Sequence, residues 1–142
     1  MKLTRSRIEP FLRAPDPDCR IVLLYGPDQG LISERAKQLA ATVVEDLRDP
    51  FLVSRFSAAD LRQDPTQLAD TASTFSMTGG RRLLWVSMAA EDISPALQNV
   101  LDGPGIDGLV VIEAGDLTPR APARKLCEAD DAAAAIACYA DD

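Results

Sequence analysis

The chain has 142 residues, the size of one domain, with 46% hydrophobic residues, which is the make-up of a soluble globular protein with a real core. Its formal net charge of −7 argues against a domain whose main business is a non-specific grip on phosphate backbones. It contains no histidine, so a Cys/His zinc site, a Ser-His or Cys-His catalytic pair and a histidine general base are all excluded by composition.

Met1 to Leu12 carries Lys2, Arg5 and Arg7 but no apolar core of a signal peptide. No apolar run approaches the ~20 residues that span a bilayer. Thr4 to Arg13 spaces Ile8, Phe11 and Leu12 as a short amphipathic helix, in which Pro10 kinks or ends the first turn. Ala14-Pro15-Asp16-Pro17-Asp18 breaks the chain. Ile21 to Tyr25 is a continuous apolar run, suited to a strand covered on both faces. Gly26-Pro27-Asp28 turns it into a helix with Asp28 as N-cap, whose apolar positions run from Leu31 to Leu47.

Phe51 to Phe56 predicts the second strand. Asp64-Pro65 predicts an N-cap and first helical residue, followed by Leu68, Ala69 and Ala72. A third strand is expected at about Arg82 to Ser87, a helix over Glu91 to Leu101, and a stop at Gly103-Pro104. Leu109 to Ile112 reads as the fourth strand. Thr118-Pro119 opens a helix to about Glu128, and Ala134 to Tyr139 forms the fifth strand. Strands alternating with helices predict a three-layer α/β/α domain on a five-stranded parallel sheet. The chain stops at Asp141-Asp142 directly after a strand, so residues 1–142 read as one domain cut from a longer protein.

The first strand-to-helix turn, Gly26-Pro27-Asp28-Gln29-Gly30, stands where an NTPase keeps its phosphate loop. It has no lysine for the β/γ-phosphates and no following Ser/Thr pair for magnesium. Asp28 would also repel phosphates. The turn therefore reads as a plain turn with an N-cap, without catalytic residues, metal or cofactor. Glu113 and Asp116 end the fourth strand, where α/β sheets place ligands, and read as solvated carboxylates. Arg120, Arg124 and Lys125 read as a solvated helix face, the alternative being an interaction face for an acidic partner or nucleic acid. Cys19, Cys127 and Cys138 lack CxxC spacing and read as reduced thiols of a cytoplasmic protein.

Phe75-Ser76-Met77-Thr78-Gly79-Gly80-Arg81-Arg82 is different: a glycine-broken, partly apolar turn running straight into a strand. Together with Leu23-Leu24-Tyr25-Gly26-x-Asp28, Ile112-Glu113-Ala114-Gly115-Asp116-Leu117 and Arg124-Lys125-Leu126-Cys127-Glu128, it resembles the delta subunit of bacterial DNA polymerase III, over essentially the whole chain. That subunit is longer, and the likeness is to its N-terminal domain. The resemblance implies an AAA+ fold with a degenerate phosphate loop, without ATP hydrolysis, in a clamp loader of the replicative nucleotidyltransferase complex. It implies as partners the ring-shaped sliding clamp (beta subunit) and the delta prime and gamma/tau subunits, with DNA only in the assembled complex and no membrane.

The family opens the clamp with a Leu-Phe pair in a Ser-Leu-Phe-Gly-Gly-Arg-Arg-like run. Here Met77 falls on the leucine and Thr78 on the phenylalanine, with Gly79, Gly80 and Arg81 supporting the turn. Met77 can fill an apolar pocket. Thr78 offers one methyl and a hydroxyl that needs a partner. Phe75 either turns outward to replace the missing aromatic or ends the preceding helix as a core residue. The competing readings are a small P-loop-like nucleotide-binding enzyme and an assembly-only adaptor.

Overall fold

The computed structural model describes residues 1–74, 81–87, 92–104 and 107–139. Five strands, β1 (Ile21–Tyr25), β2 (Val53–Ser57), β3 (Arg82–Ser87), β4 (Gly108–Glu113) and β5 (Ala133–Ala137), pair in parallel in the order β2-β3-β4-β1-β5. Among the described residues six helices surround them: α1 (Arg5–Arg13), α2 (Gln29–Val43), α3 (Ala58–Gln63), α4 (Gln67–Ser73), α5 (Ser94–Asp102) and α6 (Pro122–Ala129). Val22 and Leu24 of β1 enter the core beneath α1 and α2. Ile21, Leu23 and Tyr25 enter the core beneath α3 to α6. β1 has a strand on each side and a helix layer on each face, so all five of its side chains are buried. That is why its sequence shows no polar alternation. The three-layer α/β/α architecture is as expected.

The first three residues cover the free edge of β5. Leu3 N–H donates to Ala135 O at 3.1 Å and Ala135 N–H donates to Met1 O at 2.9 Å. The Met1 ammonium donates to the carbonyls of Cys127, Asp130 and Ala133. A paired edge offers no template to another chain. Arg20, just ahead of β1, donates to the carbonyls of Val100, Leu101 and Gly103 at 3.1, 3.2 and 2.9 Å. It supplies a cation and donors where α5 ends in unpaired carbonyls.

Several boundaries differ from expectation, mostly for one reason: short polar side chains bond to nearby backbone and compete with the helix. α2 ends at Val43 rather than Leu47. Past it, the Asp46 carboxylate takes Arg48 N–H and the Asp49 carboxylate takes Phe51 N–H, each at 2.9 Å. β2 accordingly starts at Val53, not Phe51. Asp64 caps the end of an unforeseen helix, α3, and its carboxylate binds the Thr66 N–H and hydroxyl, so α4 begins only at Gln67. The signal for α3 was present as a capping box: Ser57 Oγ accepts from Asp60 N–H, and the Asp60 carboxylate accepts from Ser57 N–H.

At α5, the Asp92 carboxylate holds the N–H and hydroxyl of Ser94, and the helix starts at Ser94; Glu91 lies outside the described residues. α6 starts at Pro122 rather than Pro119, leaving Arg120 in the turn ahead of it. Pro10 sits inside α1, which runs on to Arg13. β5 ends at Ala137, short of Tyr139.

Candidate functional site

The carboxyl edge of the sheet is where an α/β domain of this order would hold a ligand. β1 and β4 are neighbours, but β1 leads to α2 on one face and β4 leads to α6 on the other, so a crevice opens between their ends. The Gly26–Gly30 turn sits there, and the N–H groups of Gly26 and Asp28, with that of Leu31 just beyond it, are engaged within the chain. Gly26 N–H donates to Gly115 O at 3.0 Å, and Asp28 N–H to Cys138 O at 3.4 Å. Leu31 N–H donates to the Asp28 carboxylate at 3.0 Å, and position 27, a proline, has no N–H. A phosphate would need several of these groups free. The chain instead places its own carboxylate at the start of α2, where the helix dipole favours an anion.

Gly26 itself is required by packing. Its φ is +138°, and a Cβ there would lie 2.3 Å from Cys138 O. The glycine lets the end of β1 pass against the chain leaving β5, where Cys138 N–H donates to Tyr25 O. Gly30 is different, for a Cβ there would meet only the Asp28 carboxylate at 3.5 Å.

Glu113 is not a free strand-end carboxylate. It is half-buried and accepts from Trp85 Nε1 at 2.7 Å, while the Arg55 guanidinium lies 4.4 Å from the centre of the Trp85 ring. Asp116 is exposed, as expected. Among the described residues no group of three His, Cys, Asp or Glu side chains is placed to hold a metal ion.

Arg124 overturns the reading of a solvated basic face. It is 8% exposed, lies 4.5 Å above the Tyr25 ring, donates to Leu117 O at 2.8 Å and pairs with Glu128 at 3.2 Å. It ties α6 to the loop after β4 and to the end of β1. Lys125 and Arg120 are exposed. Burial pushes the Tyr25 hydroxyl up from its ordinary value, with Arg124 opposing the shift. All three cysteines are buried and free. Burial pushes the Cys19 thiol up to about 11 and the Cys127 thiol to about 12. Cys138 is also raised by burial, with Arg35 working the other way: its Nη1 donates to Ala137 O at 3.0 Å and sits 3.5 Å from Sγ.

Arg81 and Arg82 stand at the opposite, amino edge of the sheet. Phe75, Ser76, Met77, Thr78, Gly79 and Gly80 lie outside the described residues, but both ends of the turn are fixed. Arg82 Nη1 donates to Thr74 O at 3.3 Å, Arg82 Nη2 contacts Ser54 Oγ at 3.4 Å, and Arg82 N–H donates to Asp107 O at 3.0 Å. Arg81 pairs with Asp107 at 3.7 Å and reaches Gly108 O. Gly108, with φ +155°, allows this approach, since a Cβ would lie 2.0 Å from Arg82 O. The paired arginines thus clamp the end of α4, the start of β3 and the start of β4 together. Sequence reasoning missed Phe51 on the same edge: it was placed in a strand, yet it is 58% exposed.

Among the described residues no helix is long and apolar enough to cross a membrane. No family model matches the sequence, and no curated protein matches it. Solved structures do match. One is a DNA polymerase III gamma subunit-related protein from Thermotoga maritima, similar with a TM-score of 0.60 and 14% identity over 95% of this chain and 46% of that protein. The chain therefore spans less than half the length of the structure it resembles. At this identity the likeness is one of fold: a three-layer α/β/α domain on a five-stranded parallel sheet, consistent with an AAA+/P-loop NTPase-like architecture.

Proposed function

We propose that this chain is the AAA+-like N-terminal domain of a clamp-loader subunit of the delta type, which binds and helps to open the sliding clamp through the turn before β3. The observation that carries the reading is the carboxyl-edge turn, which lacks the phosphate-binding residue types and bonds to the chain's own carbonyls and carboxylate. The turn has spent the N–H groups of Gly26, Asp28 and Leu31 on the chain itself, as suits a subunit that keeps the fold without the hydrolysis. Two further supports are the fold likeness to a polymerase III gamma subunit-related protein and the residue pattern around the turn. In this reading Met77 enters an apolar pocket on the clamp, Thr78 and Phe75 flank it, and Gly79 and Gly80 supply the backbone freedom. Arg81 and Arg82 hold the base of the turn against the sheet. The delta prime and gamma/tau subunits are the assembly partners, and DNA is met only in the assembled loader.

Titration of the chain with its cognate clamp tests this. Burying a methionine contributes about 1.5–3 kcal/mol, so Met77→Ala is expected to weaken binding by roughly tenfold to a hundredfold. Unchanged affinity would remove Met77 from the contact. Tight ATP binding measured by calorimetry would favour a nucleotide-binding enzyme instead.

A further inference from the structure

We infer that this chain associates with a second copy of itself, the basic helix layer of one copy docking on the acidic helix layer of the next. α1 and α2 cover one face of the sheet, and α3, α4 and α5 lie over the other, with α6 beside them. On the α1 and α2 side Arg5, Arg7, Arg13 and Lys37 stand exposed against Glu9 and Glu34. On the α3 to α5 side Asp60, Asp64, Asp70, Asp92 and Asp102 stand exposed against Arg62. The formal charge of −7 is therefore unevenly spread, with one helix layer basic and the layer behind it acidic. Each layer is the complement of the other, so a partner that fits either is another copy presenting its opposite side.

The fold alone does not call for the basic layer. The first turn of α1 holds Arg5 and Arg7 and no acidic residue, and Thr4 ahead of it makes no side-chain cap bond. Cations there oppose the helix dipole. A helix tuned only for stability carries carboxylates in its first turn, as α3 does with Asp60. A local arrangement that weakens its own helix points to a use outside it. The surface beside Arg7 is also concave, for Leu3, Pro10, Phe11 and Ala14 line a cavity of about 370 Å³ with it.

The acidic layer is held ready before any partner arrives. The Asp60 carboxylate accepts from Ser57 N–H at 3.1 Å, Asp64 from Thr66 N–H at 3.1 Å, and Asp92 from Ser94 N–H at 2.8 Å. Side chains fixed in this way lose little freedom on docking. Contact between unlike faces leaves one face of each copy free, so association continues past the dimer. Repulsion between two chains of −7 opposes it, but at about 0.1 M salt that repulsion is screened beyond about 10 Å, while charges in contact are screened much less.

Sedimentation equilibrium of this chain at about 0.1 M and about 1 M salt tests the inference. The wild type is expected to gain mass with concentration at the lower salt and to be monomeric at the higher. Arg7→Glu with Lys37→Glu turns the basic layer acidic, and Asp70→Lys with Asp102→Lys turns the acidic layer basic. Each double variant alone should lose about tenfold or more in self-affinity, and an equimolar mixture of the two should regain it. All four side chains are exposed, so urea midpoints should stay near the wild type. Should a midpoint fall, the mixture still decides, because a folding defect is not repaired by a partner of opposite charge. A wild type that stays monomeric at about 0.1 M salt overturns the inference, as does association unmoved by both reversals or a mixture that regains nothing. A monomeric wild type that binds a DNA duplex, and loses it with Arg7→Glu and Lys37→Glu, would give the basic layer to a polyanion instead.

Discussion

Replacing Gly26 by alanine separates the two roles that a glycine at the head of α2 can have. In a phosphate loop the residue serves a ligand; here its φ of +138° and its contact with Cys138 make it serve the fold. Forcing a side chain into that backbone region costs about 1–3 kcal/mol. The added Cβ would stand 2.3 Å from Cys138 O and 2.8 Å from Cys138 C, both backbone atoms, so a strand end must move. Overpacking of that kind adds about 1–3 kcal/mol. The expected loss is therefore about 2–6 kcal/mol, a large part of the 5–15 kcal/mol typical of a domain.

Gly30→Ala is the control. Its Cβ meets a single ordinary contact in the first turn of α2, and its effect should lie between zero and a gain of about 1 kcal/mol. In thermal melts the first variant should fall by roughly 6 °C or more and the second should hold or rise slightly. A Gly26→Ala protein within about 1 kcal/mol of the wild type would refute the packing argument. If the argument holds, lost ATP binding in a Gly26 variant would report unfolding, and Gly30 is the cleaner position at which to ask about nucleotides.

The remaining predictions concern buried groups. Arg124→Met keeps an apolar stem over Tyr25 but leaves Leu117 O without its donor and Glu128 without its cation. It should destabilise by about 2–3 kcal/mol in urea unfolding, part of it recovered by adding Glu128→Gln; a change below about 0.5 kcal/mol would mean that the pair is ornamental. Cys19 and Cys127 should resist thiol reagents in the folded chain at about pH 8, because the thiolate is the reactive form. Their folded values of about 11 and about 12 lie above the ordinary 9.0, so the unfolded chain ionises first. Their stabilising contribution is therefore full below about pH 9 and is lost as pH rises toward 11–12; equal urea midpoints at about pH 8 and about pH 10.5 would contradict this.

How far the fold was legible depended on which physical signal carried each element. The strands were readable because β1, β3 and β4 are buried on both faces, and burial leaves an unbroken apolar run. Helix starts were misplaced at Asp64 and Thr118 because Asp or Thr before proline has two uses. The same carboxylate or hydroxyl can cap a helix or close a turn, and the chain uses Asp64 for a turn that binds Thr66. Arg124 was misread because what buries it, the Tyr25 ring, comes from the far end of the chain. Spacing along one helix carries no trace of such a contact. Glu113 was misread likewise, its partner Trp85 lying one strand over. At the candidate site, the want of a lysine and of a Ser/Thr pair in the turn was legible in the sequence, whereas the bonds of Gly26 to Gly115 and of Asp28 to Cys138 required the strand order.

That strand order also governs assembly. β1 is made early, yet both its neighbours come late: Ile21 aligns with Val110 on one side and with Ala133 on the other. β2, β3 and β4 can zip together in sequence, each beside the one before. β1, whose five side chains are all buried, has to wait with both edges open until β4 is made and with one edge open until β5 is made. Such long-range closure makes folding slow and leaves a sticky segment exposed meanwhile. A shortened version ending anywhere before β5 would keep that hazard permanently.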